Sequence, residues 1–339
     1  SVRQYIKPIM KELPDKRVDA SIAWYRRFLV WVEHRWRDRS PGTHKLFRTF
    51  QTGVGGLVTD FQDFVTVWTR VSGGGAPYSH LGYREISLLR LVPKELARAT
   101  PALCISALPG TVLFLPVLFY FPRLFLTEHF WTPEQRLEFS SAQLRRRQSE
   151  YRHLIDDLAF LQPQLDSAAL RTLLHNIRTG KPNSPDLLAG SVEAFEHDCL
   201  QFDYLSYKHA IHLSRASGIS AFRLYREYRL WRLAKLLYEE DRAVERANFV
   251  FADPTKPSDP AAERLLRQQF CLARGYQSWN RPDSEADKFV RQWCRLSAGL
   301  RDTNNERRLA FMLHLPSLMA SVEFEDSQKS VDKNNERQK

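Results

Sequence analysis

The strongest candidate for binding chemistry is a row of basic side chains between residues 222 and 237. Basic residues recur at every third position, and three aromatic residues lie between them. Guanidinium and ammonium groups neutralise phosphates, and aromatic rings stack on unpaired bases, so this pattern favours RNA binding. The candidate binding residues are Arg223, Arg226, Arg229, Arg232, Lys235 and Tyr225.

The same row also has a purely structural interpretation. On a helix, steps of three residues drift by about −60° each, so a basic row with this spacing winds around the helix. The interleaved apolar positions would then be core, and the arginines would be solvated or ion-paired. Those core positions are Leu224, Tyr228, Trp231 and Leu237, and the acidic partners are Glu227, Glu239, Glu240 and Asp241. The sequence leaves both interpretations open.

Residues suited to metal binding or catalysis form no complete set. His209 and His212 lie three residues apart on a predicted helix, and could supply two ligands. His197 and Cys199 form a second such pair, whereas zinc sites need three or four ligands. The sequence contains no Gly-x-Ser-x-Gly, no phosphate-binding loop and no Asp-rich calcium loop. We therefore predict no metal, no cofactor and no catalytic residue, and a chain that is not an enzyme.

Two further features give weaker signals. Glu128 and His129 could form an acid–base pair, but adjacent residues at a helix end usually point in different directions. Gly53, Gly55 and Gly56 form a glycine cluster with no strand before it. That context predicts an ordinary loop rather than a phosphate site.

Composition sets the broad class. The chain has 339 residues, of which 43% are hydrophobic and 26% are charged, values that exclude a mainly disordered chain and a multi-span transporter. The net charge of +11 favours anionic partners. The excess is concentrated in residues 1–98, with 17 basic and 9 acidic side chains. RNA binding by the later part would therefore need a local basic patch.

One uncharged stretch of 24 residues, 99–122, predicts a membrane span. As a helix it would be about 36 Å long, enough to cross a bilayer core of about 30 Å. Prolines must kink it, and a re-entrant hairpin or a buried core helix are the alternatives. The residues assigned to the span are Leu103, Pro109, Gly110, Leu113, Pro116, Leu118 and Phe121. Basic residues flank both ends almost equally, so charge alone does not orient the span.

The remaining chain divides into four predicted segments. Residues 1–75 form a basic aromatic segment, whose amphipathic helix over 57–68 could lie in the membrane interface or pack on the later domain. Residues 76–98 form a juxtamembrane helix, 123–325 an all-α domain, and 326–339 a polar disordered tail.

Within the all-α domain, local signals mark the helix ends. Thr132 and Gln135 form a capping-box pattern, and the helix that follows is predicted to run to about Phe160. Further helices are predicted to start at 166–167, 184–186 and 258–260, and to stop at Gly180, Gly218 and Gly275.

The order of these features resembles the LETM family of the mitochondrial inner membrane. The matching segments are Tyr83-Arg84-Glu85, Leu89-Arg90, Phe121-Pro122-Arg123, residues 129–133, residues 230–242 with the acidic-acidic-Arg ending, and residues 266–275 ending in Arg-Gly. The resemblance covers roughly residues 80–322, and it is strongest to the short LETM domain-containing branch. The sequence has no EF-hand loop and no heptad coiled coil.

The resemblance implies a single span that anchors a matrix-facing, ribosome-binding helical domain, similar in shape to 14-3-3 helical folds. It implies partners in the mitochondrial ribosome, as RNA or protein, and in the lipid bilayer. Protein partners in the inner membrane and self-association stay open. The expected role is support of mitochondrial translation, structure and respiration. The alternative is a component of potassium or calcium exchange against protons, although the span carries no carboxylate for such transport.

Overall fold

A computed structural model describes residues 41–73, 75, 77–106, 127–181, 183–251, 259–279, 281–300 and 309–319. All regular structure in these residues is helical, which confirms the predicted all-α class. The helices are α1 Pro41–Gly73, α2 Tyr83–Ser106, α3 Pro133–Gln148, α4 Tyr151–Leu165, α5 Ala168–Thr179, α6 Pro185–Gly190, α7 Tyr207–Ala216, α8 Arg226–Arg246, α9 Pro260–Ala273, α10 Asp283–Ala298 and α11 309–319. Short 3-10 turns lie at Tyr78–His80, Glu128–Phe130, Val192–Glu196 and Asp198–Leu200.

Most helix ends coincide with local sequence signals. The Thr132 hydroxyl accepts a hydrogen bond from the Gln135 N–H, and the Gln135 side chain accepts one from the Thr132 N–H, as predicted for the start of α3. Side-chain oxygens of Ser167, Ser184 and Asp259 cap α5, α6 and α9. These caps confirm the predicted helix starts.

One predicted helix is interrupted. The helix predicted after Thr132 extends to about Phe160, but α3 ends at Gln148 and α4 begins at Tyr151. The Ser149 hydroxyl donates to the Arg146 carbonyl at 2.9 Å, and the Glu150 N–H donates to the Arg147 carbonyl at 3.2 Å. These bonds span only three residues, so they tighten the last turn and end α3.

Helix α11 lies inside the domain. Residues 309–318 are all buried, including His314 and Ser317. A helix enclosed on every side is typical of a bundle centre. The same hydrophobic cluster contains the large buried side chains Leu154, Leu158, Leu170, Leu173, Phe195, Leu200, Phe251, Phe270 and Trp293.

Helix α2 belongs to this core, although residues 76–98 are predicted from the sequence to form a separate juxtamembrane helix. Ile86 and Leu89 are buried in the same cluster, and α2 packs against both α1 and α8. The Tyr83 ring packs edge-on against Phe251 and Phe270, with centroids 5.1 and 5.7 Å away. The helical domain therefore begins before the uncharged stretch, not after it.

The glycine cluster lies inside α1, so the predicted loop is wrong. A Cβ on Gly53 would lie 2.6 Å from Phe130 Cδ1, and a Cβ on Gly56 would lie 2.9 Å from His129 Nδ1. The missing side chains let the Glu128–Phe130 turn approach the α1 backbone closely. This close packing outweighs the low helix propensity of glycine.

The amphipathic helix predicted over 57–68 is confirmed as part of α1, but its apolar side chains divide into two groups. Phe64 packs against the core, beside buried Val67. Phe61, Val65 and Trp68 stay 42%, 40% and 49% exposed. Helix α1 therefore packs on the domain along one edge of its apolar face only.

The predicted span at 99–122 is described only in part. Residues 99–106, including Leu103, continue α2. The other assigned positions, Pro109, Gly110, Leu113, Pro116, Leu118 and Phe121, lie outside the described residues, as does the predicted tail 326–339. Among the helices that the structure does describe, none combines the length and the apolar character needed to cross a bilayer.

Candidate functional site

Four charged side chains meet inside the domain: Arg90 of α2, Glu240 and Asp241 of α8, and Arg274 directly after α9. Arg274 donates to Asp241 Oδ1 from Nε at 2.9 Å and from Nη2 at 2.5 Å, and to Glu240 Oε2 from Nη1 at 3.3 Å. Arg90 Nε donates to the other Glu240 oxygen at 2.7 Å. We call this group the buried ionic cluster.

The charges of the buried ionic cluster balance. The side chains of Arg274 and Glu240 are 0% exposed, and that of Asp241 is 1% exposed. Trp293 Nε1 donates to Asp241 Oδ2 at 2.9 Å. Burial lowers the pKa of Arg274, but the two carboxylates more than offset this and hold it above its usual range. Two cations and two anions that stabilise one another inside the core form a structural link between helices, not a catalytic acid or base.

A second feature is the exposed segment at the start of α8, residues 222–235, which we call the basic aromatic surface. Its exposed large side chains are Phe222 at 67%, Leu224 at 60%, Tyr225 at 71% and Tyr228 at 56%. Its exposed cations are Arg223 and Arg232, and Arg229 and Lys235 are half-buried. Exposed rings beside cations can stack on bases and neutralise phosphates.

Contacts within the basic aromatic surface hold its side chains in place. The Tyr228 and Trp231 rings stack with centroids 5.8 Å apart, and Lys235 Nζ lies 4.9 Å from the Trp231 ring centroid. Arg229 Nη2 donates to the Phe222 carbonyl and so ties the preceding loop to α8. The surface is therefore a packed arrangement of rings and cations rather than a set of independent side chains.

The structure corrects the predicted row at one position. Helix α8 begins at Arg226, so Arg223 and Tyr225 precede it, and Tyr225 has a left-handed backbone with φ 51°. Arg226 is only 3% exposed, because its guanidinium lies 4.9 Å from the Tyr207 ring and 3.3 Å from a Glu227 oxygen. A row that winds around the helix must turn one member inward, and Arg226 is that member.

The structural interpretation of the same segment holds only in part. Leu237 is buried and Trp231 is half-buried against the core, but Leu224 and Tyr228 are exposed. Of the proposed acidic partners, Glu227 pairs with Arg226. Glu240 and Asp241 instead bind the arginines of the buried ionic cluster.

The two histidines considered as metal ligands face different partners. His209 Nε2 lies 2.7 Å from His314 Nε2, and His212 Nδ1 lies 2.7 Å from a Glu150 oxygen. Burial lowers the pKa of His314 to about 3, so its ring is neutral at physiological pH. The described part of the chain contains no group of three side chains placed to hold a metal ion.

His129 pairs with carboxylates other than that of the adjacent Glu128, as expected for neighbouring residues at a helix end. Its Nε2 lies 3.3 Å from Asp60 Oδ2 and 3.4 Å from Glu95 Oε2. Burial alone would lower the pKa of His129, but its hydrogen bonds to Asp60 and Glu95 outweigh burial and raise the pKa to about 9. His129 is thus a cation that ties the Glu128–Phe130 turn to α1 and α2.

A family model described as "LETM1-like, RBD", for ribosome-binding domain, matches residues 81–318, more than two thirds of the chain. The chain belongs to the LETM1-like RBD family. This confirms the resemblance to the LETM family. The matched region includes every residue of the buried ionic cluster and of the basic aromatic surface.

The similar proteins include three named LETM1 domain-containing protein 1, from Xenopus tropicalis, Homo sapiens and Bos taurus. The one from Xenopus tropicalis is 32% identical over 148 residues, which are 43% of this chain and 42% of that protein. The one from Homo sapiens is 24% identical over 298 residues, which are 85% of this chain and 78% of that protein. No solved structure matches this chain, so the likeness to 14-3-3 folds stays a prediction.

The LETM1-like RBD segments noted in the sequence meet in space. Residues 230–242 supply Glu240 and Asp241, and residues 266–275 supply Arg274. The contact between the charged residues of these two segments was not predicted from the sequence. The signal was present, since two acidic residues on one predicted helix and an arginine at the end of another are complementary charges.

Proposed function

We propose that this LETM-domain protein is anchored in the mitochondrial inner membrane by residues 99–122. Its helical domain faces the matrix, binds the mitochondrial ribosome, and supports mitochondrial translation, structure and respiration. The role is binding, not catalysis. Membership of the LETM1-like RBD family supports the proposal, because the description of that family names a ribosome-binding domain.

The observation that carries the proposal is the basic aromatic surface. Four large side chains within seven residues, among them Phe222 at 67% and Tyr225 at 71%, are exposed beside cations. An exposed apolar patch with a polar rim is typical of an interaction site. Arg223 and Arg232 are exposed, so they can reach phosphates or acidic side chains. Arg226 supports the surface from beneath and does not contact the partner.

The test is co-sedimentation of the full chain with mitochondrial ribosomes over a series of salt concentrations. Binding should weaken as salt rises, because each phosphate contact releases counterions. The variant Arg223→Gln/Tyr225→Ala/Arg232→Gln should bind about tenfold or more weakly and show a shallower salt dependence.

A matched control replaces two exposed arginines and one exposed ring elsewhere on the domain, as Arg152→Gln/Phe160→Ala/Arg171→Gln. The control should sediment like the wild type. Absence of co-sedimentation of the wild type at low salt would overturn the proposal. An equal loss in both variants would show that net charge alone drives the association.

The proposed anchor has its own test, Leu113→Arg/Leu118→Arg. Each arginine at the middle of a membrane costs about 2.5–3.5 kcal/mol on insertion scales, so the pair should cost roughly 5–7 kcal/mol. The variant should become extractable from mitochondrial membranes by alkaline carbonate, whereas the wild type should stay in the pellet. Extraction of the wild type would remove the anchor from the proposal.

Ion exchange is the weaker alternative. No charged side chain occurs between Ala99 and Pro122, and coupled transport normally needs one on the pathway. Cation movement into liposomes that contain the purified chain would reverse this ranking.

A further inference from the structure

A groove of about 530 Å³ lies where α2, α3 and the end of α7 meet, and it shares no residue with the basic aromatic surface. Five cations line it: Lys94, Arg98, Arg146, Arg147 and Arg215. Among the described residues that line it, Glu150 is the single acidic one. The charge of the lining is therefore strongly positive.

Glu150 neutralises only part of that charge. Its Oε1 lies 3.6 Å from Arg215 Nη1, and its Oε2 is already held by His212 at 2.7 Å. Within the described part of the chain, Lys94, Arg98 and Arg146 have no carboxylate within 4 Å. Glu128 attracts Lys94 and Arg98 without forming an ion pair with either within 4 Å, so it compensates their charges only in part.

The floor of the groove adds a buried charge. The Arg147 guanidinium donates to the carbonyls of Ala216 at 2.7 Å, Leu272 at 2.7 Å and Ala273 at 2.9 Å, and to no carboxylate. These carbonyls satisfy its hydrogen bonds at the ends of α7 and α9, but they do not cancel its charge.

The cations of the groove repel one another. The pKa of Lys94 is lowered to about 8. The largest cause is the loss of water around its ammonium group, and the charges of Arg98, Arg147 and Arg90 add to it. Much of the Lys94 residue stays exposed, so solvent screens part of this effect. A bound anion would relieve the repulsion that remains.

An inner cavity of about 80 Å³ adjoins the groove and shares Lys94, Arg98 and Arg147 with it. Two carboxylates, Glu95 and Glu128, also line this cavity. Arg90 lines it too, and its Nη2 is buried with no hydrogen-bond partner among the described residues. A buried donor without an acceptor is costly, so this position suits an incoming oxygen.

The other wall of the groove is aromatic. The Trp131 and Phe139 rings pack edge-to-face with centroids 4.9 Å apart, and the Arg98 guanidinium lies 5.7 Å from the Trp131 centroid. Arg98 directly precedes the uncharged stretch 99–122, and Trp131 follows it by nine residues. A cationic wall facing an aromatic one suits a ligand that joins a phosphate to an apolar part.

We propose that this groove binds the phosphate group of a small anionic ligand, carried by a phospholipid headgroup or by a soluble phosphate compound. Guanidinium groups at the rim bind the phosphate oxygens through charge-assisted hydrogen bonds, and Lys94 and Arg147 add positive charge from below. The proposal does not depend on ribosome binding.

The test is native mass spectrometry of the full chain in non-ionic detergent, titrated with phosphatidylglycerol, phosphatidylcholine or inorganic pyrophosphate. Arg146→Gln/Arg215→Gln removes two exposed rim cations, and Arg152→Gln/Arg171→Gln removes the same charge elsewhere. An unchanged melting temperature establishes that both variants are folded. The rim variant should bind phosphatidylglycerol about tenfold more weakly, and the control should match the wild type.

The ligand series separates the two sources. If phosphatidylglycerol binds and pyrophosphate does not, the ligand is a lipid headgroup. If pyrophosphate competes with the lipid, the groove binds phosphate groups in general. Equal losses in both variants would overturn the proposal, and so would equal affinity for phosphatidylcholine. The groove would instead be an RNA surface if the rim variant lost a short RNA oligonucleotide while keeping both phosphate ligands.

Discussion

Helix α8 places charge in two opposite environments. At its start, Arg223 just before the helix and Arg232 within it are open to solvent and have aromatic neighbours. Near its end, Glu240 and Asp241 are enclosed and bind Arg274. Charged residues therefore have different roles along one helix: those near the end hold helices together, and those near the start are free to meet a partner.

The difference follows from water. A buried ion loses its hydration, so it is tolerated only with a partner in good geometry, and removing that partner leaves an uncompensated charge. An exposed ion keeps its hydration, so its removal barely changes folding, but it alters attraction to anions. Substitutions at the buried end of α8 should therefore change stability, and substitutions at the exposed end should change binding.

The largest effect is expected at the buried end. Arg274→Gln leaves Glu240 with Arg90 and leaves Asp241 with the Trp293 N–H but no cation, so we expect a loss of about 3–5 kcal/mol in the free energy of unfolding. Denaturant unfolding of the full chain in detergent measures this loss, with Arg152→Gln as an exposed control. A loss below about 1 kcal/mol would mean that the cluster is not a structural link.

An intermediate effect is expected for His129, a cation that is 23% exposed and lies between two carboxylates. Its folded-state pKa of about 9 exceeds the unfolded value of 6.5. Its contribution is therefore fully present below pH 6.5 and is lost as pH rises through 9, with a maximum of about 3 kcal/mol. His129→Gln should destabilise the chain at pH 6 but hardly at pH 9.5, as measured by melting temperature. Equal destabilisation at both pH values would argue against a charge effect.

The smallest effect compares two arginines on the same helix. Arg226→Ala should cost about 1–2 kcal/mol of unfolding free energy, because its buried stem and its contact with Tyr207 are lost. Arg232→Ala should change stability by no more than about 0.5 kcal/mol, since its side chain is exposed. Ribosome co-sedimentation should show the reverse order, with Arg232→Ala weakening binding more than Arg226→Ala. If both variants are equally folded and Arg226→Ala weakens binding more, the contrast between the two arginines is wrong.

Much of the local organisation could be predicted from sequence. The caps at Thr132, Ser167, Ser184 and Asp259 join groups at most three residues apart, so neighbouring residues are enough to specify them. The all-α class and the family also follow from patterns carried along the chain. The uncharged stretch 99–122 is likewise a property of sequence alone.

The tertiary structure decided which of the charged and glycine residues share an environment. Arg274 meets Asp241 across 33 residues, and Arg90 meets Glu240 across 150. Gly53 and Gly56 of α1 lie against a turn more than 70 residues away in sequence, and Arg226 lies beside Tyr207. Burial depends on which distant surface covers a side chain, and no pattern within a few residues contains that information.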